Sequence, residues 1–242
     1  MPNQGEFWSR GVSGSVMSRT LRGIVLICLI ATITGCTPFK RWLYEGFNRE
    51  AWQHREEVIQ ALKIRQGDYV ADIGSGSGYF TFLLAKAVGP SGKVYAIDID
   101  ADMNAYVAAR AREEGYTNIG LILAKPDDPL LPESGVDLIF TCITYHHLED
   151  RVSYFKNASK YLRPGGRIAI IDFNEKAWLE KLIGHWTASE VLPRELKEAG
   201  YALDREFHFL PKQMFLIFSR GQKKAEDQGA GELWETHNVS TR

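Results

Sequence analysis

Three glycines alternate with serines two residues after an aspartate, in the segment from Asp72 to Gly78. Glycines let the backbone turn sharply and let a ligand approach the amides at the start of a following helix. A second acid, Asp98, follows Gly78 by 20 residues, at the predicted end of the next strand. A carboxylate there can accept hydrogen bonds from both hydroxyls of a ribose. We therefore predict a site for a nucleoside-containing ligand. Its candidate binding residues are Asp72, Gly74, Gly76, Gly78 and Asp98.

The spacing of the glycines argues against a dinucleotide. The dinucleotide fingerprint has two residues between its second and third glycines, whereas only Ser77 separates Gly76 from Gly78. The negative charge of Asp72 would repel a pyrophosphate, but it suits a ligand that carries an ammonium group. These residues favour a nucleoside joined to an amino acid. An NAD-dependent oxidoreductase is the less favoured alternative, and titration with NADH would decide between them.

Such a site needs strands that end beside one another. Strands alternate with helices along most of the chain, which indicates an α/β fold: a doubly wound, mostly parallel sheet with helices on both faces. The predicted strands cover residues 69–73, 93–97, 119–123, 136–141 and 167–172. The predicted helices cover residues 49–64, 79–87, 102–113, 151–162 and 189–199.

The end of the chain departs from this alternation. Residues 202–210 and 213–219 both have the pattern of a strand, and only Pro211 and Lys212 separate them. So short a link is incompatible with a parallel crossover and requires antiparallel strands. We therefore predict that the sheet ends in a C-terminal hairpin.

The segment Asp72–Gly78, the strand-end Asp98, the turn at residues 162–166 and the hairpin resemble a class I S-adenosylmethionine-dependent methyltransferase over residues 49–219. The resemblance implies a Rossmann-like sheet of seven strands whose last strand is antiparallel. It implies an enzyme with S-adenosyl-L-methionine as its cofactor. It places Asp72 and the glycine loop, Gly74–Gly78, at the methionine end of the cofactor and Asp98 at its ribose.

One position departs from this family. Many of its members have Gly-Asp-Ala after the third strand, and that acid holds the adenine amino group. Lys125 stands where the acid would fall in this chain. Asp127 or Asp128 would substitute for it after a small shift. The alternative is that both belong to a solvated turn, so the adenine contacts stay open.

Candidates for contact with the methyl acceptor follow the fourth and fifth predicted strands. Ligands of doubly wound sheets bind outside such strand ends, although a structural role is the alternative for each side chain. The candidates are Tyr145, His146, His147 and His185. Methyl transfer from a sulfonium is an in-line displacement in which positioning carries most of the catalysis. No catalytic residue is therefore assigned. The three cysteines lack the spacing of a zinc site, and we predict no metal.

The N-terminal region resembles a bacterial lipoprotein signal. Arg19 and Arg22 precede an apolar run of about a dozen residues, whereas a bilayer span needs roughly 20. The residues at 33–36, Ile-Thr-Gly-Cys, resemble a lipobox, which implies cleavage before Cys36 and lipidation of its thiol. The acyl chains would tether the domain to a membrane surface. An uncleaved anchor or a buried helix is the alternative, and Met17 is a candidate for the true start.

The chain is therefore predicted to have one folded domain between two detachable ends. The predicted segments are a signal peptide at residues 1–35, a linker at 36–48, the methyltransferase domain at 49–219 and a disordered tail at 220–242. The formal net charge of −1 shows no basic excess, so no nucleic-acid partner is expected. No oligomeric state follows from the sequence.

Export conflicts with the cofactor. A lipobox predicts a domain anchored in the bacterial cell envelope and facing the periplasm, whereas S-adenosylmethionine is made in the cytosol. Either the cofactor reaches the periplasm, or an uncleaved anchor keeps the domain on the cytoplasmic face, or the fold has another role. That other role would be a non-catalytic lipoprotein that binds a nucleoside ligand. For the enzyme, we predict a small or lipid-like acceptor.

Overall fold

The computed structural model describes residues 49–221, so the predicted signal, Met17, Cys36, the linker and residues 222–242 of the predicted tail lie outside it. Within the described residues, the strands are β1 Tyr69–Ile73, β2 Lys93–Asp98, β3 Ile119–Leu123, β4 Val136–Cys142, β5 Leu162–Phe173, β6 Tyr201–Phe207 and β7 Gln213–Arg220. The helices are α1 Glu50–Gln53, α2 Arg55–Leu62, α3 Thr81–Val88, α4 Ala101–Glu113, α5 Arg151–Ala158, α6 Trp178–Leu182 and α7 Val191–Glu198, with 3₁₀ turns at Tyr145–His147 and Ser159–Tyr161.

The strands form one sheet in the order β3-β2-β1-β4-β5-β7-β6. Strands β1 to β5 are parallel, and β7 is antiparallel to both β5 and β6. The predicted fold is confirmed: a doubly wound, Rossmann-like α/β sheet of seven strands with an antiparallel last strand. The strand order reverses between β1 and β4, and ligands of such sheets bind outside the carboxyl ends at this point.

Both faces of the sheet are covered by helices. Leu138 and Phe140 of β4 pack in the apolar cluster that includes residues of α2 and α3. Ile139, between them, packs in a second cluster with residues of α5 and α7. Successive strand residues point to opposite faces, so β4 must be apolar on both sides. Burial on both faces explains why the parallel strands show no alternation of apolar and polar residues.

The predicted first helix is two helices. His54 adopts a left-handed φ of 45° between α1 and α2 and ends the first of them. The break accompanies the burial of Gln53, whose Nε2 donates a hydrogen bond of 2.8 Å to Oε1 of Gln213 in β7. The single-helix prediction over residues 49–64 is therefore wrong, because a long-range polar contact replaces a continuous helix.

The C-terminal hairpin is present, but its loop is longer than predicted. Strand β6 ends at Phe207, so residues 208–212 form the link instead of Pro211 and Lys212 alone. Strand β7 runs one residue past the predicted domain end, to Arg220, so the predicted tail boundary lies too early. None of the helices in the described part of the chain combines the length and apolar character that crossing a bilayer needs.

Candidate active site

The glycine loop follows β1 and requires glycine for steric reasons. Gly74, Gly76 and Gly78 all have positive φ, at 72°, 52° and 81°, which non-glycine residues rarely adopt. At Gly74 a side chain would also overlap Thr144, in the segment after β4. The Gly74 amide donates to the carbonyl of Ile97 in β2 at 2.8 Å. The loop therefore joins the carboxyl ends of β1, β2 and β4.

Asp98 lies at the end of β2 and is hydrogen-bonded to this loop. Its Oδ2 accepts from the Gly76 amide at 2.8 Å and its Oδ1 from the Asp100 amide at 2.9 Å. Burial raises the pKa of the Asp98 carboxyl, and these amides lower it in part. A carboxylate oxygen has a second lone pair, so both oxygens can still accept hydroxyl groups. The ribose contact of Asp98 stays a prediction. The Gly76 amide already donates its hydrogen to Asp98.

Asp72, at position four of β1, is buried beneath the loop. Its Oδ2 accepts a hydrogen bond of 2.6 Å from the Thr81 hydroxyl. Burial raises the pKa of Asp72 to about 7, and the nearby Asp98 charge adds to the rise, while Thr81 and Arg49 oppose it. A positively charged ligand group would favour the ionised carboxylate.

Two further polar atoms here lack partners. The buried hydroxyls of Ser75, in the loop, and Thr141, in β4, have no hydrogen-bond partner among residues 49–221. Unsatisfied buried polar atoms are rare in folded proteins. Together with the raised pKa of Asp72, they fit a ligand that combines a positive charge with hydrogen-bonding groups, as S-adenosylmethionine does.

The two acids proposed for adenine have different surroundings. Asp128 accepts hydrogen bonds from the Tyr161 hydroxyl and, at 2.8 Å, from the Leu130 amide, and its backbone pairs with Lys125. Asp128 therefore has a structural role at this turn. Asp127 is exposed. Of the two, Asp127 stays the candidate for an adenine contact.

The structure brings three of the four acceptor-site candidates together. His146 lies in the 3₁₀ turn after β4, and its ring centroid is 4.1 Å from that of His147 and 5.3 Å from that of His185. One ring nitrogen of each histidine lies within 4.8 Å of those of the other two. Partial burial lowers the pKa of His147, and positive charge on His146 or His185 would lower it further. We name these residues the histidine cluster.

Tyr145, the fourth candidate, packs elsewhere. Its fully buried ring stacks on Phe155 of α5, and its hydroxyl donates a hydrogen bond of 2.6 Å to Oε2 of Glu195 in α7. Glu195 also accepts two hydrogen bonds from Arg151. The hydroxyl therefore belongs to an ion-pair network between helices, and the candidate acceptor role of Tyr145 is replaced by a structural one.

Two further parts of this edge are not among the candidate site residues. Asp172, at the end of β5, contacts His146 Nδ1 through Oδ1 at 2.7 Å and accepts a 2.8 Å hydrogen bond from the Thr187 hydroxyl through Oδ2. The position of Asp172 at a strand end was the available signal. The second part is an exposed apolar segment at residues 178–183, just before His185. Its exposed apolar side chains are Trp178, Leu179, Leu182 and Ile183, and Lys181 between them is also exposed.

Known proteins resemble the chain in sequence. A ubiquinone/menaquinone biosynthesis C-methyltransferase of Hahella chejuensis is 30% identical over 119 residues, which are 49% of this chain and 48% of that protein. The chloroplastic 2-phytyl-1,4-beta-naphthoquinone methyltransferase of Arabidopsis thaliana is 32% identical over 114 residues, or 46% and 44% of the two chains. The chain thus spans about half the length of the curated relatives it matches.

A solved structure and a family model agree with the fold. A SAM-dependent methyltransferase from Aquifex aeolicus matches with a TM-score of 0.68 and 24% identity, over 75% of this chain and 97% of that one. The family model described as "Methyltransferase domain" matches residues 64–207, more than half of the chain. S-adenosyl-L-methionine stays the cofactor that the resemblance implies, and the Aquifex protein that shares the fold is described as dependent on it. The chain belongs to the methyltransferase-domain family.

Proposed function

We propose that this chain is an S-adenosylmethionine-dependent methyltransferase that modifies a lipid-like acceptor at a membrane surface. When bound, the cofactor supplies an electrophilic methyl group on a sulfonium. The observation that carries the acceptor class is the exposed apolar segment at residues 178–183, which immediately precedes His185 of the histidine cluster.

The cofactor residues lie on the first half of the sheet. The Asp72 carboxylate, with its raised pKa, would pair with the positive charge of the methionine moiety. The Asp98 oxygens would accept the ribose hydroxyls beside the Gly76 amide. The positive φ angles of the loop glycines keep side chains away from this turn. In this arrangement the chain orients the cofactor, and positioning supplies most of the rate.

The acceptor would arrive over the apolar segment. Trp178 is 68% exposed and Leu182 is 79% exposed, although apolar side chains of this size are normally buried. Contiguous exposed apolar surface marks contact with proteins, ligands or membranes. The two relatives above are named for quinone methylation, which supports an acceptor with a lipid-like tail. A small soluble acceptor is the alternative.

The location follows from the same proposal. A lipidated Cys36 would hold the domain at a bacterial envelope membrane, facing the periplasm, without any spanning helix. An uncleaved N-terminal anchor on the cytoplasmic face is the alternative. Palmitate labelling of Cys36 is the expected result, and globomycin should make the labelled chain accumulate as an uncleaved precursor. Failure of wild-type cells to label this cysteine would contradict the lipoprotein anchor.

The function is tested with the full chain in detergent micelles. We expect S-adenosylmethionine to bind in isothermal titration and its labelled methyl group to pass into a bacterial lipid extract presented in vesicles. Leu182→Asp should reduce this transfer strongly because it places a charge in the apolar segment, whereas cofactor affinity should not change. Leu203→Asp, at an exposed leucine of β6, is the matched control and should transfer as the wild type does.

The remaining outcomes separate the alternatives. Absence of S-adenosylmethionine binding would contradict the proposal, and binding of NADH instead would favour an oxidoreductase. Cofactor binding without transfer to lipid or soluble extracts would favour a nucleoside-binding lipoprotein. Transfer to a water-soluble extract alone, unaffected by Leu182→Asp, would favour a small acceptor.

A further inference from the structure

The histidine cluster has the composition and geometry of a metal site. One ring nitrogen from each of His146, His147 and His185 lies within 4.8 Å of the other two. Three nitrogens around a zinc ion, with Zn–N distances of about 2.0–2.1 Å, lie roughly 3.3 Å apart in a tetrahedron. His147 and His185 are exposed, so small side-chain rotations would close the remaining distance.

His146 is the fixed member of the cluster. Its side chain is 2% exposed, and that of Asp172 is 0% exposed. An ionised carboxylate only accepts hydrogen bonds, so a neutral His146 that contacts Asp172 Oδ1 through Nδ1 at 2.7 Å would carry its proton on Nδ1. The lone pair of the imidazole is then on Nε2, which is the nitrogen left to bind a metal.

That second nitrogen lacks any protein partner. His146 Nε2 is buried and has no hydrogen-bond partner among residues 49–221. A carboxylate that holds the far side of a metal-binding histidine is a recurrent arrangement, because it fixes the tautomer and the ring orientation. Asp172 is itself oriented by the Thr187 hydroxyl, at 2.8 Å from Oδ2. A supporting shell for a metal is therefore already built.

We infer that His146 Nε2, His147 and His185 bind one divalent transition-metal ion of the zinc type. Imidazole suits zinc, copper, iron and nickel, whereas magnesium and calcium prefer oxygen ligands. This inference differs from the sequence prediction of no metal. The sequence hides the site because the adjacent pair and the third histidine belong to different loops, after β4 and after α6.

Three protein ligands leave one position of a tetrahedral ion open. Open positions are typical of catalytic zinc sites, whereas structural sites have four protein ligands. The ion would lie at the strand-end edge, because Thr144, two residues before His146, stands against Gly74 of the glycine loop. The open position would take an oxygen donor, with water as the first occupant.

Metal content tests the inference on the full chain, purified in detergent with a tag that contains no histidine. After dialysis against buffered zinc, we expect one tightly held zinc ion per chain by inductively coupled plasma mass spectrometry. His147→Ala and His185→Ala should each weaken zinc binding by at least about tenfold in calorimetry. Both side chains are exposed, so circular dichroism should show intact folding. His208→Ala, at an exposed histidine outside the cluster, is the matched control.

Cobalt provides a second measurement, because tetrahedral Co²⁺ has intense visible bands and hydrated Co²⁺ does not. We expect tetrahedral bands that both cluster variants lose. Equal zinc and cobalt binding by the wild type and both variants would overturn the inference, as would no retained metal. Zinc binding without S-adenosylmethionine binding would support this site and contradict the proposed function. Binding of S-adenosylmethionine without binding of zinc would contradict this site and leave the proposed function supported.

Discussion

The two halves of the strand-end edge are built in different ways. At β1 and β2, the acids Asp72 and Asp98 are buried and hydrogen-bonded within the glycine loop or its adjoining helices. At β4 and β5, two of the three clustered histidines and the neighbouring apolar segment are exposed. The first half is shaped by backbone conformation, and the second by side chains from separate loops.

Under the proposed function, this difference separates two tasks. A cofactor that does not vary can be held by a rigid loop whose positive φ angles favour glycine. Acceptor chemistry needs side chains that can adjust and that solvent or a membrane can reach. If this distinction is correct, changes in the first half should act through folding and cofactor affinity, whereas changes beside the histidine cluster should act on metal content or transfer.

The largest expected effect tests the rigidity of the half of the edge at β1 and β2, which we name the cofactor half. Gly74→Ala should lower the free energy of unfolding by about 2–5 kcal/mol, because a positive φ costs about 1–2 kcal/mol and overlap with Thr144 about 1–3 kcal/mol more. Gly165→Ala is the matched control, since Gly165 has a φ of 78° with no atom within 4 Å of an added Cβ. It should lose only about 1–2 kcal/mol. Equal losses in urea unfolding would contradict the steric explanation.

The same contrast decides what could be predicted from the sequence. The glycine loop, Asp98 and the hairpin depend on local spacing and on residues that punctuate strands, so they could be predicted. The histidine cluster depends on His146, Asp172 and His185, which only the tertiary fold brings together. The sequence also does not show on which side of a loop a residue packs. Tyr145 and His146 were therefore both candidates for the acceptor site, although only His146 lies in the histidine cluster.

A substitution of Asp98 tests whether this acid binds the cofactor in addition to its hydrogen bond with the glycine loop. Asp98→Asn should weaken S-adenosylmethionine binding by about 10–100-fold, because hydrogen bonds to a charged group contribute about 1.5–3 kcal/mol. Asp204→Asn, at an exposed position on β6, should bind as the wild type does. Isothermal titration measures both. An unchanged affinity in Asp98→Asn would limit Asp98 to holding the Gly76 amide.

Asp72 makes the cofactor half sensitive to pH. Its pKa of about 7 means that the free chain is ionised at this position above about pH 7. A cationic ligand group favours the carboxylate, so binding is strongest above pH 7 and falls by up to about tenfold per unit below it. Asp72→Asn should bind weakly and with little change between pH 6 and 8. A wild-type affinity that is constant over this range would contradict the proposed charge pairing.

The smallest effect concerns Tyr145, which lies beside the histidine cluster in sequence but belongs to the core. Tyr145→Phe removes the hydrogen bond to Glu195, which keeps its two bonds from Arg151. The free energy of unfolding should therefore fall by only about 1–2 kcal/mol, and zinc content and methyl transfer should not change. Tyr116→Phe is the control, because the Tyr116 hydroxyl has no hydrogen-bond partner within residues 49–221, and its stability should match the wild type. If the Tyr145→Phe variant is stable but no longer transfers methyl groups, this hydroxyl belongs to the acceptor site. The assignment of Tyr145 to the core would then be wrong.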